Sequence, residues 1–337
     1  MNQKANRYAQ IDVLEFVFAI LIVCLHISGN DQKSIVYLIG QYVGRMGVPF
    51  FFAVSGFFAY QKVKEGAPVK YLKRQEIKLF RIFLVWSLIY FPITFHTTYI
   101  NNGGDLLFSM LEYVRELIFM APAYMWYLVA LMFGLFSFVL YGVSHLPQYT
   151  IGASLFYILG TLLNSYRAIT GFDSFEFFYN FFLTSRNGIF FTPIFLAIGA
   201  WINVIHTKQQ KIKKQSLTFI IACVVFFIEV TLVMRHVPQG EDCSMYFSLP
   251  LVIGVLLGII LNISVIKENQ TTNFLKRASL IIYCSQYGLI IVYRKLIGDI
   301  SEVILWIMVV ISGCILAYSI QKLKKELRKL TIKQKGK

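Results

Sequence analysis

The sequence predicts an all-α membrane protein, a polytopic bundle of about ten transmembrane helices with both termini in the cytoplasm. Three observations predict it. The 337-residue chain is 57% hydrophobic and only 15% charged, whereas a soluble domain carries about 25% charged residues. Its apolar residues gather into runs close to the roughly 20 residues that a helix needs to cross hydrocarbon. Its lysines and arginines crowd into every second connection, which is the positive-inside signature.

The runs cover about 11–29, 42–60, 79–96, 123–142, 149–165, 188–206, 216–234, 244–263, 277–293 and 302–320. The first has full spanning length and no small-residue cleavage pattern after it, so it reads as a retained anchor and not a cleaved leader. The second and sixth carry Pro49 and Pro193, which neighbouring helices can accommodate by satisfying the freed carbonyls. The fifth is short, and charges bound the ninth. Between the third and fourth, Asp105 follows Gly103-Gly104 and can cap a helix. Leu106, Leu107, Met110, Leu111, Val114, Leu117 and Ile118 then recur at helical spacing. Glu112, Arg115 and Glu116 take the other face. This predicts a short helix on the outer surface, lying in the interface or capping the bundle. The tail from Lys322 places Leu323, Leu327 and Leu330 on one side, as a basic interfacial helix against anionic inner-leaflet lipids would. No internal repeat or soluble domain is visible. The expectation is one integral membrane domain over 1–337 with a basic cytoplasmic tail at 322–337.

Charge sets the orientation. With the N-terminus inside, one side receives Lys4 and Arg7, the cluster from Lys62 to Arg81, Lys208 to Lys214, Lys267 to Arg277 and the tail. The other side receives few cations, among them Lys33, Arg45, Arg115, Arg167, Arg186 and Arg235. The net charge of +15 therefore marks topology and lipid headgroups, and no nucleic-acid partner is expected. The five cysteines show no Cys-x-x-Cys pair and lie mostly in apolar runs, so they read as small buried residues. The histidines near span ends show no metal-ligand spacing, and no metal site is expected.

The first run carries Asp12 and Glu15 near its inner end and His26 near its outer end. Ionisable groups inside a span mark a site by default. Glu15 and His26 are eleven residues apart, hence on one helix face and separated by about 16 Å. The plain alternatives are a histidine bonded to a neighbouring helix and carboxylates paired with nearby cations. Arg45 is a cation beside the histidine-bearing helix, and Ser55-Gly56 permits close helix approach. Arg74, Lys78 and Arg81, spaced by four and three, line one face at the inner surface. They can grip a phosphorylated ligand from the cytosol or simply fix topology. The ring-rich stretch from Phe172 to Phe182 suits an aromatic belt or a sugar site.

These segments resemble the acyltransferase 3 family of integral membrane acyltransferases. His26 matches the family's first-helix histidine, and Pro49 to Phe57 matches its Pro-x-Phe-Phe-x-x-Ser-Gly-Phe segment. Arg74 and Arg81 match its cytoplasmic arginine stretch, and Met125-Trp126-Tyr127-Leu128 its Trp-Tyr/Phe-Leu segment. Arg186-Asn187-Gly188-Ile-Phe-Phe with Gly199 resembles a segment of Gram-positive members and membrane-bound serine racemases. The resemblance covers most of the chain. It implies a bacterial cytoplasmic-membrane enzyme that moves an acyl group, acetyl above all, from cytosolic acyl-CoA to a hydroxyl of a cell-surface glycan. His26 would be the general base. Arg74, Lys78 and Arg81 would hold the donor, and Arg45, Ser55, Trp126 and Arg186 the acceptor, the plain alternatives being headgroup pairing for Arg45 and Arg186 and helix packing for Ser55. No cofactor is implied beyond the donor substrate. Two departures stand out. Glu15 occupies a position that is usually basic, and Ser285-Gln286 stands where many members have a histidine. A carboxylate repels an anionic donor. Either the three cations take over donor binding, the donor differs, the member is inactive, or Glu15 relays protons toward His26. The competing class is a transporter of a glycan or small solute built on the same bundle.

Overall fold

The computed structural model describes residues 8–28, 32–172, 175–207, 215–238, 241–263 and 266–335. Lys4, Arg7, Lys208 to Lys214 and Asp173 lie outside them. Among the described residues the regular structure is all helical. In chain order the helices are α1 (Ala9–Ile27), α2 (Ile35–Tyr42), α3 (Gly47–Lys64), α4 (Pro68–Asn101), α5 (Leu106–Phe119), α6 (Trp126–Ser137) and α7 (Leu146–Leu162). They continue with α8 (Arg167–Thr170), α9 (Glu176–Phe182), α10 (Thr192–Thr207), α11 (Gln215–His236), α12 (Leu249–Asn262), α13 (Gln270–Ile297) and α14 (Glu302–Lys335).

Each of the ten expected spans falls on a helix. Six helical runs are long and apolar enough to cross a membrane: Ala9–Ile27, Ile35–Lys64, Pro68–Asn101, Gln215–His236, Gln270–Ile297 and Glu302–Leu327. Trp126–Gly142, Thr192–Thr207 and Leu249–Asn262 are shorter apolar helices. The chain is a multi-pass membrane protein.

Two boundaries differ from the sequence reading, those of the second span and of the tail, while the fourth run ends at 142 as expected. The second span does not begin at 42: α2 ends there, a 3-10 turn occupies Gly44–Met46, and α3 begins at Gly47. The turn is tight because Gly44 lies on the backbone of α1, where an added Cβ would be 2.8 Å from the Leu21 carbonyl oxygen. A π-helical turn over Phe138–Gly142 extends α6. The tail is no separate helix, since α14 runs unbroken through Lys335 with Leu323 and Leu327 exposed.

The chain divides into two compact units, residues 1–47 with 263–337, and residues 48–262. In the first, α13 packs along α1. Lys276 Nζ lies 2.9 Å from Asp12 Oδ1, and Arg294 Nη2 donates to the Ile27 carbonyl at 2.7 Å. Both contacts advance together along the two helices, so α1 and α13 run parallel. Trp306 of α14 donates to the Ile20 carbonyl at 3.0 Å. Asn269 caps α13 by accepting from the Thr272 backbone, with Thr272 reciprocating, which satisfies two otherwise orphaned donors.

In the second unit α3 crosses α10 with almost nothing between the backbones. A Cβ on Gly56 would be 2.2 Å from the Leu196 carbonyl oxygen, and one on Gly199 would be 1.9 Å from that of Ala53. Glycine is required at both because no side chain fits. Gly254 faces Ile198 and, one turn on, Gly258 faces Ile202, so α10 and α12 run parallel with α11 returning between them. Helices α7 and α10 are antiparallel, with Trp201 donating to Thr150 and Tyr157 packed on Phe195. Buried rings fill the centre: Phe52 meets Trp126, Tyr127 and Phe191.

Candidate functional site

The first unit holds His26, Glu15 and Arg45. Helix α1 is unbroken, so Glu15 and His26 share one face about 16 Å apart, and both are half-buried. His26 lies in the last turn of α1, one residue before the carbonyl that Arg294 engages. A cation there complements the negative end of the helix. The turn carrying Arg45 backs onto the same half of α1: Gly40 abuts Leu25 and Gly44 abuts Leu21. Arg45 is half-buried and donates to Gln41 at 3.0 Å. At the other end of α1, Asp12 is 2% exposed and is held by Lys276. Ser34 donates to Glu302 at the His26 end of the unit.

Gln286, in the stretch where a histidine was expected from the family pattern, is fully buried on α13. Its Nε2 donates to the Tyr283 carbonyl at 3.0 Å, and its Oε1 accepts no hydrogen bond among the described residues. Ser285 beside it is also buried and bonds the Ile282 carbonyl.

The second unit holds the remaining predicted residues, and it brings two of them together. The Arg186 guanidinium lies over the Trp126 ring, 4.7 Å from its centroid. Nη1 reaches Asp242 Oδ1 at 3.2 Å and Ser244 Oγ at 3.1 Å, and Ser244 in turn bonds Asp242. Trp126 is the first residue of α6, Arg186 precedes α10, and Asp242 and Ser244 precede α12. Asn164, just past α7, ties this end together: its Oδ1 accepts from the backbone N–H of Ser244 at 2.8 Å and of Met245 at 3.1 Å. Asn187 turns the chain into α10 by accepting from the N–H groups of Ile189 and Phe190. The cluster therefore gathers at one end of four helices. A guanidinium stacked on an indole and pinned by a carboxylate is rigid; its N–H groups donate, and Asp242 and Ser244 beside it accept, a set suited to a hydroxyl-bearing ligand.

Arg74, Lys78 and Arg81 are exposed on α4, away from its buried residues Leu72 and Leu79. Ser55 donates to the Phe51 carbonyl at 2.8 Å, a bond within its own helix. It sits next to the Gly56 crossing. Among the described residues no group of three or more His, Cys, Asp or Glu can hold a metal ion.

Asp242, Ser244 and Asn164 of this cluster were not singled out in the sequence, and neither was Glu229, which supports them. Glu229 on α11 accepts from Tyr166 OH at 2.7 Å and from the backbone of Phe247 at 2.6 Å and Ser248 at 2.9 Å. It also takes the Ser248 hydroxyl. Burial, and then the Glu229 carboxylate, push the Tyr166 hydroxyl above its usual range. Glu229 thus fixes the segment that leads from Asp242 and Ser244 into α12. The signal was available, for Glu229 is the lone charged residue in the run 216–234.

The family profile described as an acyltransferase domain matches residues 8–322. The chain belongs to the acyltransferase 3 family. Among curated relatives of this family member, an amino-acid racemase of Enterococcus faecalis is 30% identical over 257 residues, covering 72% of this chain and 34% of that protein. A serine/alanine racemase of Enterococcus gallinarum is 28% identical, covering 77% and 37%. A second Enterococcus faecalis amino-acid racemase is 25% identical, covering 97% and 47%. The chain thus spans less than half the length of these relatives. No solved structure matches it.

Proposed function

We propose that this family member is a bacterial cytoplasmic-membrane acyltransferase, one integral domain of ten spans with cytoplasmic termini. It moves an acyl group, acetyl above all, from acyl-CoA to a hydroxyl of a cell-surface glycan. The observation that carries the reading is the family match over residues 8–322, with His26 and the Pro49–Phe57 segment in place within it. The parallel pairs α1 with α13 and α10 with α12 fit helices that cross the membrane in alternating directions, and ten is the count the apolar runs of the sequence give. Donor phosphates sit on Arg74, Lys78 and Arg81, where guanidinium and ammonium groups give charge-assisted bonds. His26 takes the proton from the acceptor hydroxyl as its oxygen attacks the thioester carbonyl. The C–S bond breaks, and the imidazolium returns the proton to the leaving CoA thiolate. Glu15 stands ready to relay protons toward His26. Arg186 and Trp126 bind the acceptor, and Arg45 and Ser55 are its further candidate residues.

The test is CoA release by the purified full chain in nanodiscs supplied with acetyl-CoA and an acceptor glycan fraction. Wild type is expected to release CoA and acylate the fraction, and His26→Ala to lose about 10²–10⁴-fold. Absence of both CoA release and CoA binding in wild type would remove the enzyme reading. A second reading is passage of a small polar solute through the same bundle, and the name of one relative, a serine/alanine racemase, supplies the solutes to try. Serine or alanine uptake into proteoliposomes, without CoA release, is the outcome that selects it.

A further inference from the structure

Helix α5 is amphipathic in the reverse sense to a helix lying on an aqueous surface. Its apolar residues Leu107, Phe108, Leu111, Val114 and Ile118 are all exposed, Leu107 to 71%. Its polar side chains face the protein. Tyr113 OH lies 2.8 Å from Thr94 Oγ1, Glu116 accepts from Thr98 at 3.1 Å, and Glu112 accepts from Asn102 at 2.5 Å. Ser109, on the same side, is completely buried. Thr94 and Thr98 lie in the last two turns of α4, and Asn102 follows its end. Asp105 caps the helix through the Phe108 N–H at 2.9 Å, and Arg115 at the far end donates to the Asn180 carbonyl at 2.6 Å. A helix with its charged groups turned inward and its leucines turned outward is not arranged for water.

Depth follows from α4. That helix has 34 residues and is about 51 Å long. Arg74, Lys78 and Arg81 sit in its first half and mark one membrane surface. The roughly 20 residues that cross hydrocarbon then run from Ile82 to Asn101, and Val85 and Leu88 on this stretch are exposed. Helix α5 lies beside the second half of it. With 14 residues α5 is about 21 Å long, too short to cross. We propose that α5 is a half-membrane helix, sunk in the bilayer leaflet opposite the cations of α4. Its apolar face meets lipid acyl chains, and its carboxylates are satisfied within the protein because lipid offers them no donor. The lipid-facing surface of α4 continues directly into it. This inference rests on membrane residence alone and stands whether or not the chain transfers acyl groups.

The test uses the full chain in liposomes, with a nitroxide at Leu107→Cys, Leu111→Cys or Ile118→Cys in turn and the similarly treated wild type as background. Collision with oxygen and with a water-soluble nickel chelate is measured for each. High oxygen access with low nickel access at all three is expected. Nickel access at Leu111→Cys would place the face in water and overturn the proposal. Low access to both would mean that protein, such as a second copy, covers the face, and would overturn it equally. A Leu111→Trp variant supplies an independent reading: chain-brominated lipid should quench its added fluorescence, and aqueous iodide should not.

Discussion

Lys276 Nζ lies 2.9 Å from Asp12 Oδ1, joining α13 to the start of α1 through a carboxylate that is almost wholly buried while the lysine stays half exposed. Removing the cation and keeping the buried charge is the more damaging cut. Lys276→Met is expected to destabilise the protein by about 1–3 kcal/mol. Asp12→Asn, which removes the charge that needs a partner, should cost less. Thermal unfolding in detergent checks the order, and equal losses would show that Asp12 relies on its other contacts.

The crossing of α3 and α10 allows a sharper expectation. A methyl on Gly199 would fall 1.9 Å from the Ala53 carbonyl oxygen, and backbone cannot yield as a side-chain tip does. Gly199→Ala should cost at least about 2–3 kcal/mol, visible as a large fall in the yield of monodisperse protein. Gly152→Ala, with nothing within 4 Å of its added Cβ, is the matched control and should be silent.

Glu229 should matter through what it holds. Glu229→Ala strands the Phe247 and Ser248 N–H groups, with an expected cost of about 1.5–3 kcal/mol. Glu229→Gln keeps an acceptor oxygen and should retain most of the stability. Because the segment also carries Asp242 and Ser244, Glu229→Gln should weaken acceptor binding before it weakens donor binding. Separate titrations of acceptor and CoA measure this.

The donor cations give the fourth prediction. Arg74→Ala or Arg81→Ala should weaken acyl-CoA binding at least about tenfold, since one charge-assisted phosphate contact is worth about 1.5–3 kcal/mol. Glu15→Arg should preserve or strengthen binding, and loss of activity there would assign the carboxylate a role of its own. Isothermal titration with CoA measures the binding, and the CoA-release assay measures the activity.

The apolar runs were legible because a long apolar helix is defined by length and composition: each expected run falls on a helix, and six helical runs are long and apolar enough to cross. The break between α2 and α3 was not, since it depends on where Gly44 meets Leu21 in space. Helix α5 and its Asp105 cap were legible too. Which of its two faces meets protein was not, because the period is the same whether the far side is water or lipid. The pairing of Arg186 with Trp126 joins residues sixty positions apart. Both were singled out as acceptor residues, yet their mutual contact and the Asp242 clamp arise only from the packing of helix ends.

The bare contact at Gly56 and Gly199 has a mechanical consequence. With no interlocking side chains there, the two helices have neither a ridge to slide along nor a gap to close. The motion left to them is a change of angle about that point, as with the blades of scissors. The displacement from any such change of angle would be nearly zero at the glycines and at Trp126, which packs on Phe52 one turn from Gly56, and larger toward Arg186, which precedes α10.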